Sequence, residues 1–532
     1  LNNTSLLKVA IHDVGKNVVN DFTGSVQITS SDASALTPLI INFNATDKGT
    51  KDVYLNFAKK GIYTIKANVL SANQPLTGNF FSNPINVSND SFNIYWGEFH
   101  THTKFSRDGF GSDAYSYARY GAGLDFYSGT DHMDCNPIDT FGINTLEWNA
   151  LQSEARLVNE PSRFVSFLGY ENSLENPSGH YNFIFNYKEN SINNIPQFTR
   201  YLIPNIKNIW TQLNALNWQG KMLTIPHHTG KIFGLIGPDN GATEFGGTYK
   251  NETYKRNIEI YSGHGMCEYY NPSHNLAYEQ FSARSTTFPA YAQDAWALGE
   301  KLSVVSSTDS HNGRMAFSNS GITAIIADSL NRNSLFTALY NRHTYGTTGE
   351  RIYLNFKIGN SIMGDELTVH ADSFPTLFFE VNGTDNLDKV ELLKWDFKKG
   401  KYTIAPIHPI YTTVHLKQFN SNTKNYSFSY IDSTLTDTSL YYIRVKQKNK
   451  VNSREVWAWT SPIWINKTHT TLPILSDSLF NFQLKFNNQK VSVEWCMKDA
   501  LNTNYFVIER SQKDSLHFTS LDTIQTAHIA YF

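Results

Sequence analysis

The chain has 532 residues, of which 40% are hydrophobic and 14% aromatic, and its formal net charge is −2. This length exceeds what one hydrophobic core usually serves, and the apolar content excludes a largely disordered chain. The near-neutral charge provides no basic excess, so we expect neither nucleic acid nor an anionic membrane surface as a partner. No run of eighteen apolar residues occurs, which argues against a membrane-spanning helix.

Residues 1–90 alternate short β-patterned runs with polar turns. The runs are SLLKVAIHDV, GSVQITS, LIINFNA, KDVYLNFA and GIYTIKANVL. Few helical signals interrupt them. This spacing predicts a small N-terminal β-sandwich.

Residues 91–350 have a different texture, because strand-like runs alternate with amphipathic stretches as in α/β layer folds. The strand candidates are NIYWGEF, LDFYSGT, RFVSFLGY, HYNFIF, KMLTIP, NIEIYS, KLSVVSS and GITAIIA. We expect helices over 145–158, 205–218 and 335–342. In the second helix one face carries Ile206, Ile209, Trp210, Leu213 and Leu216. Most of the strands are continuous apolar runs, which favours a parallel sheet covered by helices on both faces.

Residues 351–467 return to a β pattern and predict a second sandwich. Its runs are RIYLNFKIG, TLFFEVNG, KVELLKW, SLYYIRVKQ and VWAWTSPIWI. Residues 468–532 resemble the opening strands of a fibronectin type III-like module. Because a complete sandwich of that kind needs about 100 residues, we expect this last module to be truncated.

Three cysteines, Cys135, Cys267 and Cys496, lie far apart and form no CxxC pair. This spacing excludes a structural zinc knuckle, and the odd count argues against a disulfide framework. We expect all three to be small buried residues. Cys267 is the one that falls near the residues considered next.

Histidines and carboxylates occur at or just after the ends of six predicted strands. They are His100 and His102, Asp131 and His132, Glu171, His227 and His228, His264, and Asp309 with His311. Sites in parallel α/β folds are built at the carboxyl ends of the strands. His100 and His102 are two residues apart on an extended segment, so both imidazoles face the same side. The ordered combination predicts a metal centre, although neither HxH nor TDH alone would.

This set has more ligands than one ion requires, since zinc usually takes four. We therefore expect two or three closely spaced ions, which can activate a shared water at neutral pH. A mixed imidazole and carboxylate set suits zinc, manganese or iron and does not distinguish them.

The same segments resemble the PHP (polymerase and histidinol phosphatase) superfamily of metal-dependent hydrolases, and within it a branch described as CehA/McbA-like. YWGEFHTHTKFSRDGFGSDAYSYARYGAGLDFYSGTDH is similar to the first two motifs of the superfamily. FLGYENS, GHYNFIF, IPHHTG, IEIYSGHG, VVSSTDSHNGR and RHTYGTTGERI are similar to the branch, as is YYIRVKQ…WAWTSPIWI. The resemblance extends over about 93–467.

The resemblance implies a central distorted seven-stranded β/α barrel flanked by all-β sandwich domains. It also implies how the ligands divide among two or three divalent ions. The first ion would be held by His100, His102, Glu171 and Asp309. The second would share Glu171 and be held by His228, with His180 or His264 as a further ligand. The third would be held by Asp108, His132 and His311, where Asp108 replaces a histidine found in many relatives.

The function expected from these residues is hydrolysis by a metal-bound hydroxide, with a phosphoester as the leading substrate class. The alternatives are a carbamate, carboxylic ester or glycosidic bond at the same centre, and a non-catalytic surface protein that binds glycan or protein around a structural metal. The expected catalytic residues are the ligand Asp309, His227 as a general acid, and Arg314 as an anion-orienting group. For His227 a position facing away from the site is the alternative, and for Arg314 a surface role. Lys231 and Tyr261 are further possibilities.

The β-rich, lightly charged modules are more typical of exported bacterial proteins. We therefore expect a periplasmic or extracellular protein whose signal peptide has been removed. The expected substrate is a small molecule or an oligosaccharide, and the β modules could associate with the cell surface.

Overall fold

The computed structural model describes residues 4–468 with gaps, and beyond them the backbone of four strands. The gaps are residues 14, 16, 77–79, 107, 134–142, 189–193, 232–241, 279–288, 317–319, 371 and 405–406. The chain divides into two compact units. One comprises Leu1–Val369 and Ser373–Lys467, and the other His370–Asp372 and Thr468–Phe532.

The amino-terminal segment is all β apart from a 3-10 turn at Ala45–Asp47. Its strands are β1 Thr4–Ala10, β2 Gly24–Ser30, β3 Leu39–Phe43, β4 Thr50–Asn56, β5 Gly61–Tyr63, β6 Ile65–Ala72, β7 Phe80–Phe81 and β8 Ile85–Val87. They pair as β3-β2-β6-β7, β1-β4 and β5-β8, around a core that includes Phe22, Val26 and Leu55. The predicted strands are confirmed. Treating 1–90 as a separate domain stays a prediction, because 1–467 falls mainly in one compact unit.

The central segment alternates strands and helices. Its strands are β9 Asn93–Glu98, β10 Phe126–Tyr127, β11 Val165–Ser166, β12 Leu168–Ser173, β13 His180–Phe185, β14 Met222–Pro226, β15 Asn257–Ser262, β16 Gly265–Met266, β17 Ser303–Ser306, β18 Ile322–Ala327 and β19 Thr344–Thr347. Its helices are α1 Ala114–Ser116 (continued by a π turn at Tyr117–Gly121), α2 Thr145–Val158, α3 Ile206–Ala215, α4 Ala292–Ala297 and α5 Arg332–Tyr340, with a 3-10 turn at Gly247–Tyr249.

The expectation of a parallel sheet holds only in part. β9, β10 and β11 are parallel to one another, as are β15 and β17, whereas β12, β13 and β14 are antiparallel. For β12 and β13 the reason is chain length, because only residues 174–179 join them, which is too short for a parallel crossover. Among the described residues the central strands pair as three sheets, so the closed seven-stranded barrel stays a prediction.

The three predicted helices are confirmed, with small changes at their ends. Asn144 caps α2, and its side chain accepts hydrogen bonds from two backbone amides of the first turn. α3 ends at Ala215, so Leu216 is 53% exposed and does not share the buried apolar face. None of the helices that the structure describes is long and apolar enough to cross a membrane.

The segment after β19 is again all β. Its strands are β20 Tyr353–Ile358, β21 Ser361–Ile362, β22 Glu366–His370, β23 Thr376–Asn382, β24 Leu387–Asp396, β25 Lys401–Tyr402, β26 Pro409–Ile410, β27 Thr412–Gln418, β28 Asn425–Ile431, β29 Ser439–Val451, β30 Arg454–Thr460 and β31 Ile463–Thr468. One sheet has the order β21-β20-β23-β28. The other continues the central sheet as β11-β10-β9-β18-β19-β30-β29-β24-β27. The central segment and this sandwich therefore share one continuous sheet.

A buried polar network also joins these two segments. The carboxylate of Glu268 accepts hydrogen bonds from the Tyr442 hydroxyl (2.6 Å), from Arg444 (3.0 Å) and from the Trp459 indole (2.8 Å). Because Glu268 is 1% exposed, these three donors take the place of water around its carboxylate.

The second unit contains two hairpins, β32 Leu479–Asn487 with β33 Lys490–Met497, and β34 Tyr505–Ser511 with β35 Phe518–Gln525. Cys267 is buried as expected, and burial raises the pKa of its thiol to about 12. Cys135 and the side chain of Cys496 lie outside the described residues.

Candidate metal centre

The predicted ligands converge because the ends of several strands meet. Two isolated parallel bridges link the sheets at this edge, Thr101 with Ser310 and His132 with Glu171. The first bridge joins the segment after β9 to the segment after β17, and the second joins the segment after β10 to β12. His180 arrives by another route, since it begins β13 and pairs with Ser173 at the end of antiparallel β12.

Glu171 lies at the middle of the cluster and is 2% exposed. Its Oε2 is 3.1 Å from His100 Nε2 and 3.2 Å from His102 Nε2. Its Oε1 is 2.8 Å from His180 Nδ1 and 3.2 Å from His227 Nε2. Each carboxylate oxygen therefore faces its own pair of imidazoles.

Asp309 provides a second carboxylate to the same group. Its Oδ1 is 3.2 Å from His100 Nε2 and 3.3 Å from His102 Nε2, so both carboxylates meet the same two histidines. Its Oδ2 is 3.0 Å from His264 Nε2. The ring of His228 lies 4.3 Å from that of His227, which places His228 on the His180 side.

A third group lies at the more open side of the cluster. Asp108 Oδ2 is 3.3 Å from His132 Nε2 and 3.2 Å from His311 Nε2. The rings of both histidines stack on His102, at 4.6 and 4.4 Å between centroids. The side chains of Asp108 and His311 are about one-third exposed, so this group is reachable from solvent.

Opposite charges hold the cluster together electrostatically. Burial opposes the ionisation of Glu171, but the imidazoles around it, His227 and His132 first, keep its pKa well below the usual range. Burial also lowers the pKa of His102, yet hydrogen bonds to Asp309 and Glu171 outweigh it and raise the pKa to about 9. Burial and the nearby His100 lower the pKa of His227 to about 3. The site thus combines anionic carboxylates with a protonated imidazole at His102 and a neutral one at His227, and its carboxylates attract cations.

Buried neighbours fix the orientation of the first two histidines. Glu259 Oε2 is 3.0 Å from His100 Nδ1, and Ser106 Oγ is 3.2 Å from His102 Nδ1. Asp131 accepts hydrogen bonds from the Ser106 amide and hydroxyl, at 3.1 and 2.9 Å, so it holds the loop and does not face the cluster. These contacts leave Nε2 of both imidazoles toward the carboxylates, the usual arrangement around metal-binding histidines.

Backbone strain also occurs at the site. His228 has a φ of 34° and Asp309 a φ of 52°, both in the left-handed region that non-glycine residues rarely adopt. Gly111 has a φ of +93°, and a Cβ there would lie 2.2 Å from the Asn312 carbonyl oxygen. Such strain is found at functional sites that the surrounding structure over-determines.

The donor set fits divalent cations. Among the described residues, three groups have ligand atoms that all lie within 4.8 Å of one another: His100, His102 and Glu171; Glu171, His180, His227 and His228; and His102, Asp108 and His311. His227 is 0% exposed, and within the part of the chain that the structure describes neither of its ring nitrogens has a hydrogen-bond partner of proper geometry. A buried imidazole without such a bond is costly unless a cation takes its lone pair.

Most of the sequence-predicted residues are brought together, whereas His264 lies at the edge of the cluster and Arg314 lies apart from it. His264 contacts Asp309 through Nε2 but belongs to none of the three groups, and Lys231 Nζ lies 2.5 Å from its Nδ1. Arg314 packs its guanidinium on the Tyr117 ring, 4.5 Å from the centroid, and donates to the Ser112 carbonyl. Its role as an anion-orienting group stays a prediction.

His227 lies inside the cluster, and the alternative in which it faces away from the site does not match its position. Tyr261 bonds the hydroxyl of Tyr278 at 3.1 Å and packs in the core beside Trp459.

Sequence reasoning missed Glu259, which supports His100. The signal was present, because a glutamate in the middle of the apolar strand NIEIYS is rarely buried without a partner. Glu98 is similar: it ends β9, is fully buried, and accepts a hydrogen bond of 2.6 Å from Thr308. Burial raises its pKa to about 8.

Comparisons with known proteins find similarity to proteins whose descriptions state no activity. A family model described as "Protein of unknown function (DUF3604)" matches residues 124–269 and 273–373. An uncharacterized protein of Chlamydia trachomatis is 32% identical over 158 residues, 27% of this chain and 22% of that protein. An uncharacterized protein of Chlamydia pneumoniae is 26% identical over 444 residues, 77% of this chain and 63% of that protein. The chain thus spans less than two thirds of these relatives.

Among solved structures, the chain is similar to a two-domain protein from Bacteroides vulgatus, described as containing a predicted PHP-like metal-dependent phosphoesterase. The identity is 16%, with 70% of this chain and 96% of that chain covered and a TM-score of 0.34.

Proposed function

We propose that this chain is a metal-dependent hydrolase of the PHP type that cleaves phosphoesters. The observation that carries the proposal is the position of Glu171, whose two oxygens each face a separate pair of buried imidazoles. A carboxylate in that position suits a bridge between two cations. Such a carboxylate would not be expected in a protein whose buried residues only stabilise the core, because buried charged groups add little stability.

The residues divide among two or three ions. His100 and His102 with Asp309 would hold the first ion, and Glu171 would link it to a second. The second would be held by His180, His227 and His228, and the third by Asp108, His132 and His311. When bound, such ions lower the pKa of water and neutralise charge on the leaving oxygen.

Residues of the chain itself keep this arrangement ready. Glu259 and Ser106 hold His100 and His102 by their Nδ1 atoms, so that neither ring needs to turn when a cation binds. Lys231 places an ammonium at the His264 side of the site. A fixed cation there suits an anionic phosphoester better than a neutral ester, which is why we favour phosphoesters over carbamates, carboxylic esters and glycosides.

The wider assignments follow from the same proposal. We infer a CehA/McbA-like member of the superfamily, acting in the periplasm or outside the cell on a small molecule or oligosaccharide derivative. Support comes from the long β-sandwich segments and from the near-neutral charge. Fractionation of the source cells with an antibody against the chain tests the location, and finding the protein in the cytoplasm would contradict it.

The decisive experiment combines metal content with hydrolysis. The full chain is stripped with a chelator, reloaded with Zn²⁺, Mn²⁺ or Fe²⁺, and measured by elemental analysis. It is then assayed with p-nitrophenyl phosphate, bis(p-nitrophenyl) phosphate, p-nitrophenyl acetate, an aryl carbamate and p-nitrophenyl glycosides. We expect two or three ions per chain and metal-dependent release from a phosphoester.

Two variants make the result specific. Glu171→Gln should lose at least one bound ion and nearly all activity, whereas Glu252→Gln, on the surface, should retain both. Hydrolysis of only the acetate, carbamate or glycosides would replace the substrate class while leaving the metal centre. Stoichiometric metal without any hydrolysis, together with an unstable Asp309→Ala variant, would favour a structural metal in a binding protein.

A further inference from the structure

A second cleft lies where helix α4 meets the β25–β26 hairpin and the segment after β16. It has a cavity volume of about 360 Å³ and is lined by twelve residues, none of them a candidate metal ligand. This volume is within the range of small-molecule sites. The cleft is therefore a site of its own, and the proposed hydrolysis does not use it.

An aspartate–histidine pair forms one side of the cleft. His408 Nδ1 is 2.8 Å from Asp294 Oδ1, and the other carboxylate oxygen accepts the backbone amides of Ala290 and Tyr291 at 3.0 and 3.1 Å. The carboxylate cannot donate, so Nδ1 carries a proton, and Nε2 has a lone pair whenever the imidazole is neutral. Among the described residues this Nε2 has no hydrogen-bond partner, although His408 is only 8% exposed. Nε2 is itself covered, so the side chains around it must shift before a ligand O–H or N–H group can supply the missing donor.

Aromatic rings held in place form the other walls. Tyr270 stacks on the His408 ring, with 5.2 Å between centroids and an interplanar angle of 18°. Tyr411 donates its hydroxyl to the Gln293 carbonyl at 3.1 Å and stacks on Trp395. Rings fixed in this way provide apolar surface without an entropic cost when a ligand binds.

The charges in the cleft are already balanced. Among the described residues that line it, the charged ones are Asp294 and Arg444. The first is paired with His408, and the second with Glu268 and Glu391 at 3.0 and 2.8 Å. An anionic ligand such as a nucleotide or a free phosphate would find no available cation, and a cationic ligand would find no available anion. The preferred ligand is neutral.

We propose that this cleft binds a neutral saccharide. A sugar ring presents an apolar C–H face to an aromatic ring and hydroxyl groups at its edge, one of which can donate to His408 Nε2. The Tyr270 and Tyr411 rings provide the apolar surface. Because no candidate metal ligand lines the cleft, binding is independent of metal, so this proposal can fail or succeed separately from the proposed hydrolase activity.

The test uses the full chain and saturation-transfer NMR, followed by calorimetry. The probes are glucose, galactose, mannose and N-acetylglucosamine, with maltose, cellobiose and N,N′-diacetylchitobiose, each at about 10 mM, in the range suited to weak millimolar binding. We expect at least one probe to bind, with the same affinity before and after treatment with EDTA.

His408→Phe keeps an aromatic ring but removes Nε2, and we expect it to weaken binding about tenfold, the change that one lost hydrogen bond produces. His415→Phe is the matched control. That histidine also stacks on an aromatic ring, Phe428, at 4.2 Å but does not line the cleft, so binding should be unchanged. If His408→Phe does not fold, Tyr270→Ala decides, because it removes the stacking ring and should weaken binding similarly.

Several results would overturn the proposal. They are the absence of binding by every sugar, equal binding by the wild type and the folded cleft variant, and loss of binding with EDTA, which would place the sugar at the metal centre. Binding of adenine in place of the sugars would assign the cleft to a planar aromatic ligand instead.

Discussion

Replacing Glu259 tests whether the support behind His100 sets metal affinity. The carboxylate lies 3.0 Å from His100 Nδ1, and the two side chains are 2% and 0% exposed. Glu259→Gln keeps an acceptor but removes the charge, while Glu259→Ala removes both. Losing a partner of this kind typically costs 10–100-fold in metal affinity, or about 1.4–2.7 kcal/mol. We therefore expect a loss of about tenfold for the glutamine variant and about 100-fold for alanine.

The assay is a stepwise titration of the stripped protein with Zn²⁺ in competition with a chromophoric chelator. Only the ion held by His100 should weaken, and the remaining equivalents should bind as in the wild type. Glu252→Gln controls for the general loss of one negative charge. The reasoning is refuted if both Glu259 variants are folded and bind every equivalent within about twofold of the wild type, far below the expected loss.

Three further predictions concern the loops and the buried charges. Gly111→Ala should destabilise the fold by about 1–3 kcal/mol and lose the most exposed metal equivalent, because its φ is +93° and a Cβ would lie 2.2 Å from a carbonyl oxygen of the opposing loop. Thermal unfolding and metal counting check this against Gly220→Ala, where φ is +69° and no atom lies within 4 Å; equal effects would contradict it. Glu268→Ala should cost about 3–5 kcal/mol in urea unfolding, since it removes the buried carboxylate that accepts hydrogen bonds from Tyr442, Arg444 and Trp459, and a loss below about 1 kcal/mol would contradict this. Burial opposes the ionisation of Asp432, but the hydrogen bond from Lys394 at 2.8 Å outweighs it and lowers its pKa. The stabilisation that ionised Asp432 provides is therefore present above the unfolded-state pKa of about 3.9 and is lost as the pH falls through the lower folded-state value. Asp432→Asn should accordingly be less stable than the wild type at neutral pH and approach it in acid. A difference that is constant with pH would refute this.

Local pattern was enough to predict much of the secondary structure and to select many of the candidate ligands that the structure brings together. The central strands and helix α2 occur where apolar runs and periodicity placed them, because burial of one face or both is encoded within a few neighbouring residues. His100, His102 and Glu171 could be selected for the same reason, since each lies at the end of an apolar run. Histidines and carboxylates at the end of a buried strand can therefore be identified from the sequence.

The direction of each strand could not be predicted from local pattern. The assumption of parallel strands would put His180, the first residue of β13, at the edge away from the other ligands. The short connection after β12 makes β13 antiparallel, and this reversal carries His180 to within 2.8 Å of Glu171. The length of one loop thus decides the position of a ligand.

The sequence by itself determined which donors this protein has, in what order, and which strands present them. Tertiary structure decided which atoms meet: how Glu171 divides four imidazoles between its two oxygens, and how Glu259 supports His100. It also decided the second cleft, where Asp294 and His408 meet across 114 positions of the chain. The physical reason is the separation along the chain over which each effect acts. Periodicity reports the burial of neighbouring residues, whereas contacts between distant residues depend on how whole layers pack and twist.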